Sequence, residues 1–142
     1  MHTILILDED ASIQLYYEEE LMDEGYEVLS EYDGADLGEW VLGKRPDLVI
    51  VDFKFGAGSS FDVLKELKTK DWQVPVLLCT TYDISLKEAR AMGADDVVIK
   101  SSDLSELKIK IKKVLNRRLQ RVKYPHIANR VPSIFGDFRV DT

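Results

Sequence analysis

A single cysteine in 142 residues, Cys79, leaves no partner for an internal disulfide. It sits in an apolar run, where a small buried hydrophobe is expected and a reducing cytoplasm is the natural setting. No apolar run approaches the ~18 residues that a membrane span needs. Met1 to Leu7 has no basic region ahead of a long apolar segment, so no signal peptide is expected. Internal repeats and low-complexity tracts are absent, and the only histidines are His2 and His126. Acidic residues are scarce at one end. Residues 108–142 hold 10 basic and 2 acidic residues, a net of +8, whereas residues 1–107 hold 9 and 24, a net of −15. The main body should repel nucleic acid and anionic membranes, and only the C-terminal segment is suited to attract them. What remains is 45% hydrophobic, enough for the core of one compact domain.

Four short apolar runs stand out: Ile4 to Leu7, Leu48 to Val51, Val76 to Cys79 and Val97 to Ile99. They are continuous rather than alternating, which suits strands of a parallel sheet buried on both faces. Tyr26 to Ser30 alternates more and suits an edge strand. Helical spacing lies between them. Residues 11–24 bring Ile13, Tyr16, Tyr17 and Leu21 to one side and end at Gly25. Residues 34–42 gather Leu37, Trp40 and Val41, and residues 60–69 gather Phe61, Leu64 and Leu67. Residues 84–92 gather Leu86, Ala89 and Met92 before Gly93. Residues 103–119 gather Leu104, Leu107, Ile111, Val114 and Leu115, with Asp103 as N-cap. The order is (βα) five times, which predicts an α/β three-layer sandwich: a doubly wound parallel sheet with right-handed crossovers and helices on both faces.

In such sheets ligands bind beyond the carboxyl ends of the strands. Asp8, Glu9 and Asp10 follow the first run, Asp52 the third, Thr80 and Thr81 the fourth, and Lys100 the fifth. A flavodoxin-like order 2-1-3-4-5 would bring Asp8 and Glu9 against Asp52, with Thr80 and Lys100 on its other side. Carboxylates this close repel unless a cation intervenes. A hard ion such as Mg²⁺, which takes one or two carboxylates and keeps several waters, is the natural remedy.

At these residues the chain resembles the receiver domain of two-component response regulators. The resemblance covers Thr3 to Leu119 and rests on Ile-Leu-Ile-Leu-Asp-Glu-Asp at 4–10, Pro-Asp-Leu-Val-Ile-Val-Asp at 46–52, Val-Pro-Val-Leu-Leu-Cys-Thr at 74–80 and Gly-Ala-Asp-Asp-Val-Val-Ile-Lys at 93–100. Each motif is weak alone; in this order and spacing they are strongly specific. The resemblance implies a signalling domain rather than an enzyme, in which Asp52 accepts a phosphoryl group from a sensor histidine kinase. It implies that Asp8, Glu9 and Asp52, with the backbone carbonyl of Lys54, hold Mg²⁺. It also implies that Thr80 contacts the phosphoryl oxygens and that Lys100 pairs with the phosphorylated aspartate. Neither histidine of the chain lies in a helix suited to a phosphodonor, so the donor comes from elsewhere.

Four departures bear on these roles. The second acid of the pair, usually Asp, is Glu9, one methylene longer, which leaves Asp10 as a further candidate donor. Gly56 stands where proline is usual, so 56–60 should form a looser loop. Ser101 stands where a cis proline is usual; a cis Lys-Ser bond costs about 3–4 kcal/mol, so a trans bond and a shifted Lys100 backbone are expected. Val97 replaces the usual Tyr or Phe, which removes the aromatic rotamer switch.

Receivers with winged-helix effectors pair through the fourth helix, fifth strand and fifth helix. Asp96, Glu106, Lys110 and Lys112 match charged positions there, whereas the positions around Leu86 and Ala91 are uncharged. The expected organisation is a receiver over 1–119, then a linker from 120. Ile134 to Asp141 resembles the first strand of a winged-helix domain cut short, through which DNA would be reached. Two rivals stay open. A degenerate receiver would serve as a binding module without phosphate. An aspartate-nucleophile phosphatase would use Asp8 and Asp10 but leave Asp52 unexplained.

Overall fold

The computed structural model describes residues 1–8, 10–31, 43–52, 64–65 and 74–123, with Glu31 and 118–123 described by backbone alone. The elements are β1 (Thr3–Leu7), α1 (Ala11–Asp23), β2 (Glu27–Glu31), β3 (Leu48–Asp52), β4 (Val76–Thr80), α2 (Leu86–Ala91), β5 (Asp96–Ile99) and α3 (Ser105–Lys123). Thus α2 and α3 are the fourth and fifth helices of the sequence pattern. Residues 64–65 are helical inside the expected helix 60–69, and 43–44 are helical just past the expected helix 34–42. The rest of those two helices, the 56–60 loop and the strand expected from Ile134 lie outside the described residues.

All strand pairings are parallel, as the apolar runs predicted, and the sheet order β2-β1-β3-β4-β5 is the expected flavodoxin-like order. Alternation along each strand makes two cores. Ile4, Ile6, Leu48, Ile50, Leu77, Cys79 and Val98 face Tyr17 and Leu21 of α1 and Leu107, Ile111, Val114 and Leu115 of α3. Leu5, Leu7, Val49, Val51, Val76, Leu78 and Val97 face Leu64, Val74, Ala89 and Ala94 on the opposite side. Burying one such aliphatic side chain contributes roughly 1.5–3 kcal/mol, which is why the strands carry apolar residues at successive positions.

Edges depart from that rule. Ile99, read from the sequence as part of a buried run, is 51% exposed. It ends the outermost strand, β5, with β4 on one side only. Tyr16 was expected on the buried side of α1 but is 40% exposed, whereas polar Gln14 is fully buried.

Both α1 and α2 close in the same way. The N–H of Gly25 donates to Met22 and that of Tyr26 to Leu21; the N–H of Gly93 donates to Arg90 and that of Ala94 to Ala89. This pairing needs a left-handed residue, and Gly25 (φ 96°) and Gly93 (φ 104°) supply it without a Cβ penalty. The helix starts are capped by side chains: Asp10 accepts from Ser12 and Ile13, and Ser85 from Glu88. The third helix starts two residues later than its pattern suggested, but Asp103 Oδ1 still accepts the N–H of Ser105 at 2.9 Å.

Two aspartates fasten strand starts. Thr3 N–H donates to Asp47 Oδ2 at 2.8 Å while Asp47 N–H donates to the Thr3 carbonyl at 2.7 Å. Val76 and Asp95 repeat the exchange at 2.7 and 2.8 Å. Asp47 thus clasps β1 to β3. Among the described residues no helix is long and apolar enough to cross a membrane.

Candidate functional site

Four parallel strands end at one edge, and three of the residues read from the sequence meet there. Register pairs Leu7 with Val51 and Asp52 with Cys79, so Asp8, just past β1, lies beside Asp52, the last residue of β3. Lys100, just past β5, reaches back over β4. Its Nζ is 2.8 Å from Asp52 Oδ1 and 3.0 Å from Asp8 Oδ2. One ammonium therefore bridges two carboxylates from two other strands. All three side chains are largely withdrawn from solvent, at 13% exposure for Lys100, 5% for Asp8 and 14% for Asp52.

Asp8 is held on both sides. Its Oδ1 accepts the Asp10 N–H at 2.9 Å, and its backbone carbonyl accepts from Gln14 Nε2 at 2.7 Å. Burial raises the Asp8 pKa above its ordinary value; the Asp10 amide and Lys100 work against that rise, and the charge of Asp52 adds to it. Burial pulls the Lys100 pKa down, but the hydrogen bonds and charges of Asp52 and Asp8 outweigh it, so the ammonium is held above its ordinary value. The lysine stays charged where it lies.

Thr80 ends β4, fully buried. Its Oγ1 accepts the Tyr82 N–H at 2.9 Å, an arrangement that leaves the hydroxyl proton to donate elsewhere. The Lys100 N–H donates to the Thr80 carbonyl at 2.7 Å, which fixes the lysine's origin against β4. The Lys100–Ser101 peptide is trans, as expected without proline. Behind the cup, the Tyr17 hydroxyl lies 3.6 Å from Cys79 Sγ, and burial pushes the thiol pKa up to about 11.

Glu9 and Lys54 lie outside the described residues. Asp10 is engaged as the cap of α1. Among the described residues no group of three His, Cys, Asp or Glu is placed to hold a metal ion. Asp8 and Asp52 nonetheless form a hard oxygen pair with one positive charge between two negative ones, and such a pair suits Mg²⁺, which takes one or two carboxylates and completes its shell with water.

Two contributors carry no sequence signal of their own. Gln14 lies outside the apolar set of its helix, yet it is buried and anchors the Asp8 carbonyl. Tyr16 reads as core, yet its hydroxyl donates to the Ser102 carbonyl at 2.5 Å. Three of the four charged residues expected at a dimer face, all but Lys112, are joined within one chain: Lys110 Nζ lies 3.3 Å from both Asp96 Oδ1 and Glu106 Oε1 and donates to the Val97 carbonyl at 2.6 Å.

Comparison with known proteins places this geometry in a family. The model of the response regulator receiver domain matches residues 4–112. The response regulator ArlR of Staphylococcus aureus is 28% identical over 123 residues, 85% of this chain and 56% of its own length. The chain thus spans just over half of the curated relatives it matches. The response regulator TrrA of Thermotoga maritima, solved in complex with Mg²⁺-BeF, is 32% identical and superposes with a TM-score of 0.73 over 80% of this chain and 99% of that one. The chemotaxis protein CheY4 of Vibrio cholerae is 26% identical, with a TM-score of 0.73 over 80% and 98%. The family works with sensor histidine kinases and is not a family of conventional enzymes. With the family model covering most of the chain, and the strand order and the Asp8–Asp52–Lys100 cluster in place, the protein belongs to the response regulator receiver family and is a receiver domain of two-component signalling.

Proposed function

We propose that Asp52 is the phosphoacceptor and that Lys100 and Thr80 serve the transferred group. The observation that carries this is the Lys100 ammonium, 2.8 Å from Asp52 and 3.0 Å from Asp8 at the carboxyl ends of the strands. A carboxylate oxygen of Asp52 forms a bond to phosphorus as the P–N bond to the kinase histidine breaks; an acyl phosphate results and the imidazole leaves. In this reading Lys100 would neutralise charge on the phosphoryl oxygens, and the Thr80 hydroxyl would donate to one of them. Asp8, Glu9, Asp52 and the Lys54 carbonyl would hold Mg²⁺, which supplies charge neutralisation and orientation when bound. The complex of TrrA with Mg²⁺-BeF supports that reading by analogy.

The wider proposal is a cytoplasmic protein phosphorylated by a sensor histidine kinase, whose phosphate biases a surface that controls an output such as transcription. Residues 1–119 form the receiver, and 120–142 lead toward an effector domain, the only route by which DNA would be contacted. Pairing of two copies through α2, β5 and α3 is the proposed assembly. The test is intact-mass measurement after incubation with acetyl phosphate, in Mg²⁺ and in chelator, for wild type and Asp52→Asn. One phosphoryl group is expected on wild type in Mg²⁺ alone. No adduct on wild type would leave a binding module that works without phosphate.

A further inference from the structure

Past Lys100 the chain leaves the sheet as an exposed turn. Lys100 N–H makes the last ladder bond, to Thr80, and Ser101, Ser102 and Asp103 are then exposed until Leu104 anchors the chain in the core. The hydrogen bonds inside this stretch are local ones: Asp103 N–H to Ser101 Oγ, and Ser105 to Asp103 Oδ1. Among the described residues they shape the turn without reaching another element. The bond that crosses to another element comes from Tyr16 of α1, whose hydroxyl donates to the Ser102 carbonyl at 2.5 Å.

We propose that Tyr16 is a positioning residue for Lys100, fixing through Ser102 the turn that aims the ammonium at Asp52. The donor stands on firm ground. Tyr16 lies in the first two turns of α1, and α1 is set against the sheet by Tyr17 and Leu21, at 4% and 0% exposure. The rings of Tyr16 and Tyr17 are inclined at 55° with centroids 6.1 Å apart. One helix therefore steadies both sides of the cup, Asp8 through Gln14 and Lys100 through Tyr16. The turn faces water, so loss of the bond frees Ser102 without burying an unpaired group, and the effect falls on the aim of Lys100 rather than on the fold. Positioning matters in phosphoryl transfer because the stabilising charge must already lie where charge develops.

The proposal rests on the reading of Asp52 and Lys100 above, and Tyr16→Phe, which removes one oxygen, tests it. With acetyl phosphate and Mg²⁺ the phosphorylation rate of Tyr16→Phe should fall about three- to ten-fold, the usual worth of one hydrogen bond. Backbone amides of 101–103 should exchange faster, while those of α1 near Leu21 stay as in wild type. In a Lys100→Ala background Tyr16→Phe should slow the reaction no further, because the tie acts only through that lysine. An unchanged rate, or equal slowing in both backgrounds, would overturn the positioning role. A wild type that takes no phosphate would instead overturn the underlying reading, and the proposal with it.

Discussion

The Lys100 ammonium sits 2.8 Å from the Asp52 carboxylate although the two residues are 48 positions apart, Asp52 ending β3 and Lys100 following β5, with β4 between those strands. Lys100 also holds Asp8, so among the described residues it is a counter-ion shared by two acids. Lys100→Met should raise Mg²⁺ affinity, on the order of ten-fold, because a cation entering the cup no longer competes with the Lys100 ammonium for Asp8 and Asp52. The same variant should lose stability without metal and accept phosphate more slowly. Titration calorimetry with Mg²⁺ reads the first effect and denaturant unfolding the second.

Gln14 donates from a fully buried position to the Asp8 carbonyl. Gln14→Ala removes that donor and leaves a buried carbonyl without it, at a cost of about 1–3 kcal/mol. Urea unfolding should show a lower midpoint with an unchanged slope, and Mg²⁺ affinity should fall because the Asp8 turn is no longer fixed.

Gly25→Ala should cost about 1–2 kcal/mol. A Cβ there meets nothing within 4 Å, so the penalty is that of a left-handed backbone at φ 96° and not of a clash. Thermal unfolding measures it.

Alkaline pH should destabilise the fold through buried neutral groups. Burial raises the Cys79 thiol from 9.0 to about 11, and burial together with Cys79 also raises the Tyr17 phenol. The folded state keeps the thiol proton where the unfolded chain has lost it. Stability is therefore full below pH 9.0 and falls as pH rises toward about 11, by about 1.4 kcal/mol per pH unit for one group. Cys79→Ala should flatten that part of the profile. In the native protein at pH 8 a thiol reagent should label Cys79 slowly, and in denaturant rapidly.

Much of the fold was legible because strands buried on both faces must be continuously apolar, and Ile4 to Leu7, Leu48 to Val51 and Val76 to Cys79 are. Ile99 misled because edge position is a property of the sheet and not of the run. The meeting of Asp8, Asp52 and Lys100 was legible because each directly follows or ends an apolar run, and parallel strands bring such ends together. Gln14, Tyr16 and Asp47 were not legible in their roles. Each bonds a backbone carbonyl or amide, and a backbone partner leaves no mark on residue type.

Reduction with borohydride converts an aspartyl phosphate to homoserine at the modified position, so peptide mapping after acetyl phosphate, Mg²⁺ and borohydride locates the acceptor directly. Phosphoryl transfer to Asp52 predicts homoserine at position 52 and nowhere else. Homoserine at position 8 or 10, or unmodified aspartate throughout, would contradict it.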